Sequence, residues 1–331
     1  DEDAVDADRG AAGTREAVVG AALAGFRADD SAISGPAIRL LSSLVLARPL
    51  GAVQLTVEPR AGGRALRLGA GTFGEVAVEA RETVTGAGAR LGWQATAWQK
   101  VRLLPEPLTA PAYLEPGRGE LGVTGRVMLP LGSPWALEAA VGGSAVRYGP
   151  DDWRVLDRRG LDAGLGVAWR DVARSVRLSF RGSHHAFPNP RPDGDTRRAD
   201  TRLGLEVDAV LERAFVARVS GGWSWNRSSI PAYDFRSARA ALVLAAPWGP
   251  GSVQAYGAMA TQVYLNPGPE DRRVAPSDQD SGAMVSVRYA YPVDARRTLI
   301  LHGDWSRSVT GFHDDFYHRF GAGIQLTFQG G

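Results

Sequence analysis

The sequence predicts an all-β protein: a closed, transmembrane, antiparallel up-and-down β-barrel of about sixteen strands. Three observations predict it. Runs of roughly 11–14 residues alternate apolar with polar or small side chains over nearly the whole chain, a length suited to a tilted membrane crossing. The connectors between runs alternate long and short. Aromatic residues gather at the run ends. Only alternate residues of such strands meet lipid, so a mean hydropathy of −0.16 fits a membrane-spanning barrel.

Composition narrows the function classes. The chain has 331 residues, enough for one large β domain. No run approaches the roughly 18 uncharged apolar residues that a spanning helix needs. The net charge is +2 with 22% charged residues, which argues against a nucleic-acid polycation. Cysteine is absent, so there is no disulfide framework and no thiolate site. The chain opens Asp-Glu-Asp-Ala-Val-Asp, with neither Met nor a basic-then-apolar leader, as expected of a mature N-terminus.

The elements follow in order. Residues 1–15 are acidic, then small and polar, and read as a flexible periplasmic tail. Residues 16–328 form the barrel, and 329–331 a C-terminal tail. Glu16–Asp29 is Ala-rich, but Gly20 and Gly25 weaken a helix, so it reads as the first strand. Asp29–Gly35 reads as a loop, Ala37–Ala47 as the second strand and Ala52–Glu58 as the third. Arg60-Ala61-Gly62-Gly63 reads as a turn. From Arg64 the alternation continues to Arg81 and reads as one long strand, although Thr72 and Phe73 fall on unexpected faces. Twelve further runs follow, from Leu91–Ala97 to Phe316–Phe328. The first sixty residues are the least specified, so fourteen to eighteen strands remain compatible.

Connector length carries the strongest signal. Long connectors fall at 103–118, 149–159, 183–200, 227–234, 265–281 and 308–315. Short ones fall between them, at Pro130–Pro134, Asp171–Arg174, Glu212–Arg213, Pro247–Gly251 and Pro292–Arg296. Long outer loops against short periplasmic turns are the outer-membrane pattern, with both termini periplasmic. Trp135, Trp169, Trp248, Tyr291 and Phe328 lie near the short-turn ends, and Trp98, Trp225 and Trp305 near the long-loop ends. Two such girdles suit two membrane interfaces, with outer-membrane lipid as the surrounding partner.

The parity opposite the apolar one should line the lumen. It carries Arg81, Arg126, Arg170, Arg181, Arg202, Arg218, Arg288 and Arg319. It also carries Glu79, Glu120, Glu138, Glu206 and Asp208. Charges of both signs are tolerated only beside water or paired partners. The expectation is a polar, Arg-biased channel or export conduit for hydrophilic material. The alternative is a plugged structural barrel that anchors a larger envelope complex through periplasmic or lipoprotein partners. The Pro-rich connector 103–118 is the third long-side loop, and Glu106, Glu115 and Arg118 would mark a constriction if it folds inward.

Chemical motifs are sparse. His313, Asp314, Asp315 and His318 cluster at the last loop, and one loop offers no opposing carboxylate pair. No nucleotide, zinc or calcium motif appears, so neither enzymatic activity, cofactor nor metal is expected.

The form Gly222-Trp223-Ser224-Trp225-Asn226-Arg227 followed by Tyr233-Asp234-Phe235-Arg236 resembles bacterial outer-membrane barrels. It looks in particular like the barrel domains of polysaccharide and surface-lipoprotein exporters, and Ala24–Asp30 is similar to their opening strand. The resemblance implies a barrel of the porin-like kind and a role in export. The chain departs from those exporters in showing no helical-repeat region before the barrel, and it ends Phe328-Gln329-Gly330-Gly331 where an aromatic terminus is usual.

Overall fold

A computed structural model describes residues 12–28, 31–68, 71–88, 91–103, 117–149, 151–190, 196–266, 282–309 and 316–330. Among the described residues, sixteen antiparallel strands form one sheet that closes on itself, β1 pairing with β16. They are β1 (Ala12–Ala28), β2 (Ser31–Leu50), β3 (Val53–Leu68), β4 (Gly71–Ala87), β5 (Gly92–Leu103) and β6 (Arg118–Gly132). Next come β7 (Trp135–Tyr148), β8 (Arg158–Arg170), β9 (Arg174–Ala186), β10 (Ala199–Glu212) and β11 (Val216–Ser228). The last are β12 (Phe235–Trp248), β13 (Gly251–Tyr264), β14 (Gly282–Pro292), β15 (Arg297–Val309) and β16 (Phe316–Gly330). Each of these strands pairs on both sides, so none of the sixteen is left as an edge.

Closure falls where expected: Ala17 lies opposite Phe328 and Gly25 opposite Phe320. The barrel reaches slightly past 16–328, because β1 starts at Ala12 and β16 runs to Gly330. The early strands are divided differently from the sequence reading. Residues 60–63 lie inside β3, opposite Val76 to Glu79 of β4, and make no turn there. The supposed single strand 64–81 is instead two, because Leu68 and Gly71 pair across the connector 69–70. A two-residue connector exchanges odd and even positions between faces. The expected loop 29–35 is likewise strand from Ser31 onwards.

The outer surface is apolar. Leu121, Val141, Leu161 and Leu165 are each 60–68% exposed, and the polar side chains alternate with them on the inner face. In water this exposed Leu/Val surface would be far larger than a soluble monomer leaves open. Around a closed barrel it is the band that meets hydrocarbon. No helix among the described residues is long and apolar enough to cross a membrane.

The connectors differ at the two ends. One end carries short turns, in which Gly51 and Gly249 take positive φ (64° and 57°), a region open to glycine. Two of these turns repeat one device. Asp171 Oδ1 accepts the N–H of Ala173 (2.8 Å) and Arg174 (2.7 Å), while Oδ2 accepts Arg174 Nε at 3.0 Å. Asp294 does the same with Arg296 (2.9 Å), Arg297 (2.8 Å) and Arg297 Nε (2.6 Å). The other end carries the longer connectors, although β1–β2 and β3–β4 are joined there by two residues each.

Part of the long-loop end is a packed roof. The 3₁₀ helix Asp151–Leu156 folds back so that Val146, Tyr148 and Leu156 are buried together, with Trp153 stacked on Tyr148. Asp157 Oδ1 accepts the Tyr148 N–H at 2.7 Å, and Asp157 Oδ2 accepts Asn189 Nδ2 at 3.1 Å. Arg198 lies between the rings of Phe187 (4.3 Å) and Tyr233 (3.8 Å) and pairs with Asp200. Asn266 Nδ2 donates to the Pro231 carbonyl at 2.9 Å. Segments following β7, β9, β11 and β13 are thus tied into one layer.

Candidate functional site: the inner wall

The strand register settles which residues share the inner face. Gln54, Thr85, Gln94 and Arg126 lie side by side across β3–β6. The next row reads Thr56, Thr83, Thr96 and Thr124, and the next Glu58, Arg81, Trp98 and Gly122. Across β7–β12 the face carries Glu138, Arg181, Glu206, Asp208, Arg218 and Arg239.

Most of these charges are paired. Arg81 meets Glu79 at 3.4 Å, Arg177 meets Glu138 at 3.3 Å and Arg218 meets Asp208 at 2.7 Å. Glu206 holds two arginines, Arg181 at 3.1 Å and Arg239. Arg202 donates to Ser224 Oγ (2.9 Å) and Ser237 Oγ (3.2 Å) and lies 5.5 Å from the Phe235 ring. Arg126 makes no ion pair among the described residues and projects between two hollows of the wall. Arg170 and Arg288 face inward beside Ser175 and His302. Arg319 lies opposite Ser306 in the β15–β16 register.

The interior is not filled by these side chains. Arg181, Arg218 and Arg239 remain 53–54% exposed although they point into the barrel. Hollows of about 540, 390 and 540 Å³ run along the wall. Inward glycines make part of this room: Gly166 separates Glu138 from Ser179, and Gly222 separates Glu206 from Arg239.

Two residues occupy places other than those read from sequence. Trp98 belongs to the inner face, in line with Gln94 and Thr96, so it is no part of an outer girdle. Its nearness to a strand end suggested an interface, but its parity was that of the polar side. Arg118 is the first residue of β6, paired with Glu120 and opposite Arg102, and so stands on the wall rather than in a constricting loop. Glu106 and Glu115 lie outside the described residues. The remaining aromatics stand on the outer face: Trp135 beside Trp169, with Trp248, Tyr291 and Phe328, near the short turns. Trp225, 6.1 Å from Trp223, and Trp305 stand towards the long loops. Sequence reasoning missed the threonine row, because which residues share a row depends on strand stagger and not on local pattern.

Potential chemical sites are few. His184 Nδ1 and Thr201 Oγ1 are 3.1 Å apart on the outer face, while His185 lies opposite Asp200 on the inner one. No group of three His, Cys, Asp or Glu that would hold a metal occurs among the described residues. His313, Asp314 and Asp315 lie outside them.

A closed antiparallel barrel with an apolar outside and a charged, solvent-reached inside is a porin-type fold. No family model matches the chain, and no curated protein matches it in sequence. Solved structures match in fold. The anion-selective porin from Comamonas acidovorans is 11% identical, with a TM-score of 0.51 over 97% of this chain and 100% of that one. Pseudomonas aeruginosa OccD3 (OpdP) is 13% identical, with a TM-score of 0.46 over 97% and 93%. A bacterial polysaccharide outer membrane secretin is 10% identical, with a TM-score of 0.45 over 95% and 98%. At such identities the shared property is the fold.

Proposed function

We propose that the protein is an outer-membrane channel passing small hydrophilic solutes, with a preference for anions. The observation that carries this is the exposure of inward-facing arginines. Arg181, Arg218 and Arg239 keep about half of their side-chain surface open to solvent inside the barrel. A wall of charged groups reached by water is what a conduction path requires, and an unpaired cation such as Arg126 lowers the barrier for anions. A structural anchor with a plugged lumen would bury those same groups. The segregation of long connectors to one end supports the usual orientation, with both termini periplasmic and lipids as the surrounding partner. Planar-bilayer recording tests the reading. Purified, folded protein is expected to give discrete conductance steps, and a salt gradient a reversal potential of anion-selective sign. Absence of steps above background would sink the proposal.

A further inference from the structure

The geometry points to a saccharide-binding subsite on the β3–β6 wall, suited to an acidic monosaccharide of the uronic-acid type. The inference rests on the channel reading only in that the sugar must reach the lumen.

Three features converge on one hollow of about 540 Å³, within the range of about 300–1,000 Å³ usual for small-molecule sites. The first is a row of hydroxyls. Thr56, Thr83, Thr96 and Thr124 are consecutive register partners on four adjacent strands, and all four line the hollow. Thr83 Oγ1 and Thr96 Oγ1 are 3.2 Å apart, so the row is continuous there. Gln54 and Gln94 flank it with amides. Hydroxyls and amides both donate and accept, which matches a ligand bearing an alcohol on nearly every carbon.

The second feature is Trp98. Its indole occupies the space over Gly122, where an added Cβ would approach the ring to 2.6 Å. The absent side chain at Gly122 lets the ring settle against the wall at the margin of the hydroxyl row. A pyranose has an apolar C–H face and a polar edge, and an aromatic ring beside hydrogen-bonding groups complements both.

The third is Arg126. It lines the same hollow beside Gln94 and Thr124 and has no ion partner among the described residues. A guanidinium free to form a two-pronged bond favours a carboxylate. A bare inorganic anion would use the arginine alone and leave the threonines and the indole without a role. An apolar solute would leave the hydroxyls and amides unsatisfied.

Calorimetric titration of the detergent-folded full chain tests this, using sodium galacturonate, glucose and sodium acetate as probes. Galacturonate is expected to bind with a Kd on the order of 1 mM, because a channel subsite must also release its solute. Glucose should bind more weakly, and acetate more weakly still. Arg126→Gln should lower galacturonate affinity by roughly tenfold, towards that of glucose. Thr83→Val with Thr96→Val, close in shape, should weaken both sugars. Quenching of tryptophan fluorescence by galacturonate should vanish in Trp98→Phe. Far-UV circular dichroism and heat-resistant migration on gels confirm that each variant has folded. Acetate binding as tightly as galacturonate, or unchanged affinity in the double valine variant, overturns the subsite. Channel conductance without galacturonate binding overturns it too and leaves the channel proposal standing. Binding without conductance supports the subsite and removes the channel.

Discussion

Glu206 and Arg239 stand on strands that are not neighbours, yet their side chains pair over Gly222 of the strand between them. The glycine is the condition of the pair. A Cβ there would meet the Leu205 carbonyl at 3.2 Å and both Glu206 Cγ and Arg239 Nε at 3.4 Å. Gly222→Leu should therefore drive a wedge between carboxylate and guanidinium. The expected result is a loss in stability of about 1–3 kcal/mol, the usual cost of overpacking, read as a lower denaturant midpoint of the detergent-folded barrel.

Paired and unpaired arginines should differ in their effect on selectivity. Arg177 is held by Glu138 at 3.3 Å, whereas Arg126 has no ion partner among the described residues. Arg126→Glu should shift the reversal potential in a salt gradient towards cations, with a severalfold change in permeability ratio. Replacing Arg177 and Glu138 together by Gln should move it little, since the net charge is unchanged. Equal shifts from the two variants would contradict the account.

Arg198 is the keystone of the roof. It touches Phe187 and Tyr233 and pairs with Asp200, whose side chain is only 7% exposed. Arg198→Ala leaves that carboxylate without its cation and two rings without their filler. Loss of a hydrogen-bonded charge partner costs about 1.5–3 kcal/mol, so local opening should rise by roughly tenfold or more. Hydrogen exchange at Phe187 and Asp157 should accelerate, while amides in mid-strand β10 should not.

The twin Asp turns give a pH dependence. The Asp171 pKa is lowered, first by the backbone N–H of Ala173 and then by the bonds and charge of Arg174. The Asp294 pKa is lowered chiefly by the Arg297 side chain, aided by the Arg296 N–H. A carboxyl with a depressed folded pKa stabilises above its unfolded value of about 3.9, and the contribution is lost as pH falls through the folded value. The turns should hold at neutral pH and loosen only in the acid range below that of a free Asp. Nuclear magnetic resonance of the Ala173 and Arg297 amides against pH should report a transition below pH ~3.9. In Asp171→Asn the Ala173 transition should disappear and the Arg297 transition should remain.

Much of the architecture was legible because a barrel writes itself twice in sequence, once as alternation and once as connector length. From β5 onwards both signals agreed with the strands. They failed together in the first seventy residues. Gly62-Gly63 looks like a turn, but a closed sheet can hold glycines in mid-ladder when both flanking strands supply the hydrogen bonds. β3 ends at Leu68 and β4 starts at Gly71, which leaves no turn-length gap for the sequence to show. The site was legible in part. Inward charges could be read from parity, but their partners could not, because Arg177 reaches past β8 to Glu138 on β7. Trp98 was misplaced by position along the strand, where parity alone would have placed it correctly.

The Asp171 and Asp294 turns also bear on the order in which the barrel comes together. Each is closed by bonds spanning two or three residues, so it needs nothing from the rest of the sheet to form. Local closure of this kind is fast, and a hairpin forms on the order of 1–10 μs. The β8–β9 and β14–β15 hairpins can therefore arrive at the membrane already folded back on themselves. The seam between β1 and β16 joins residues some three hundred positions apart, such as Ala17 and Phe328, and must wait for everything between them.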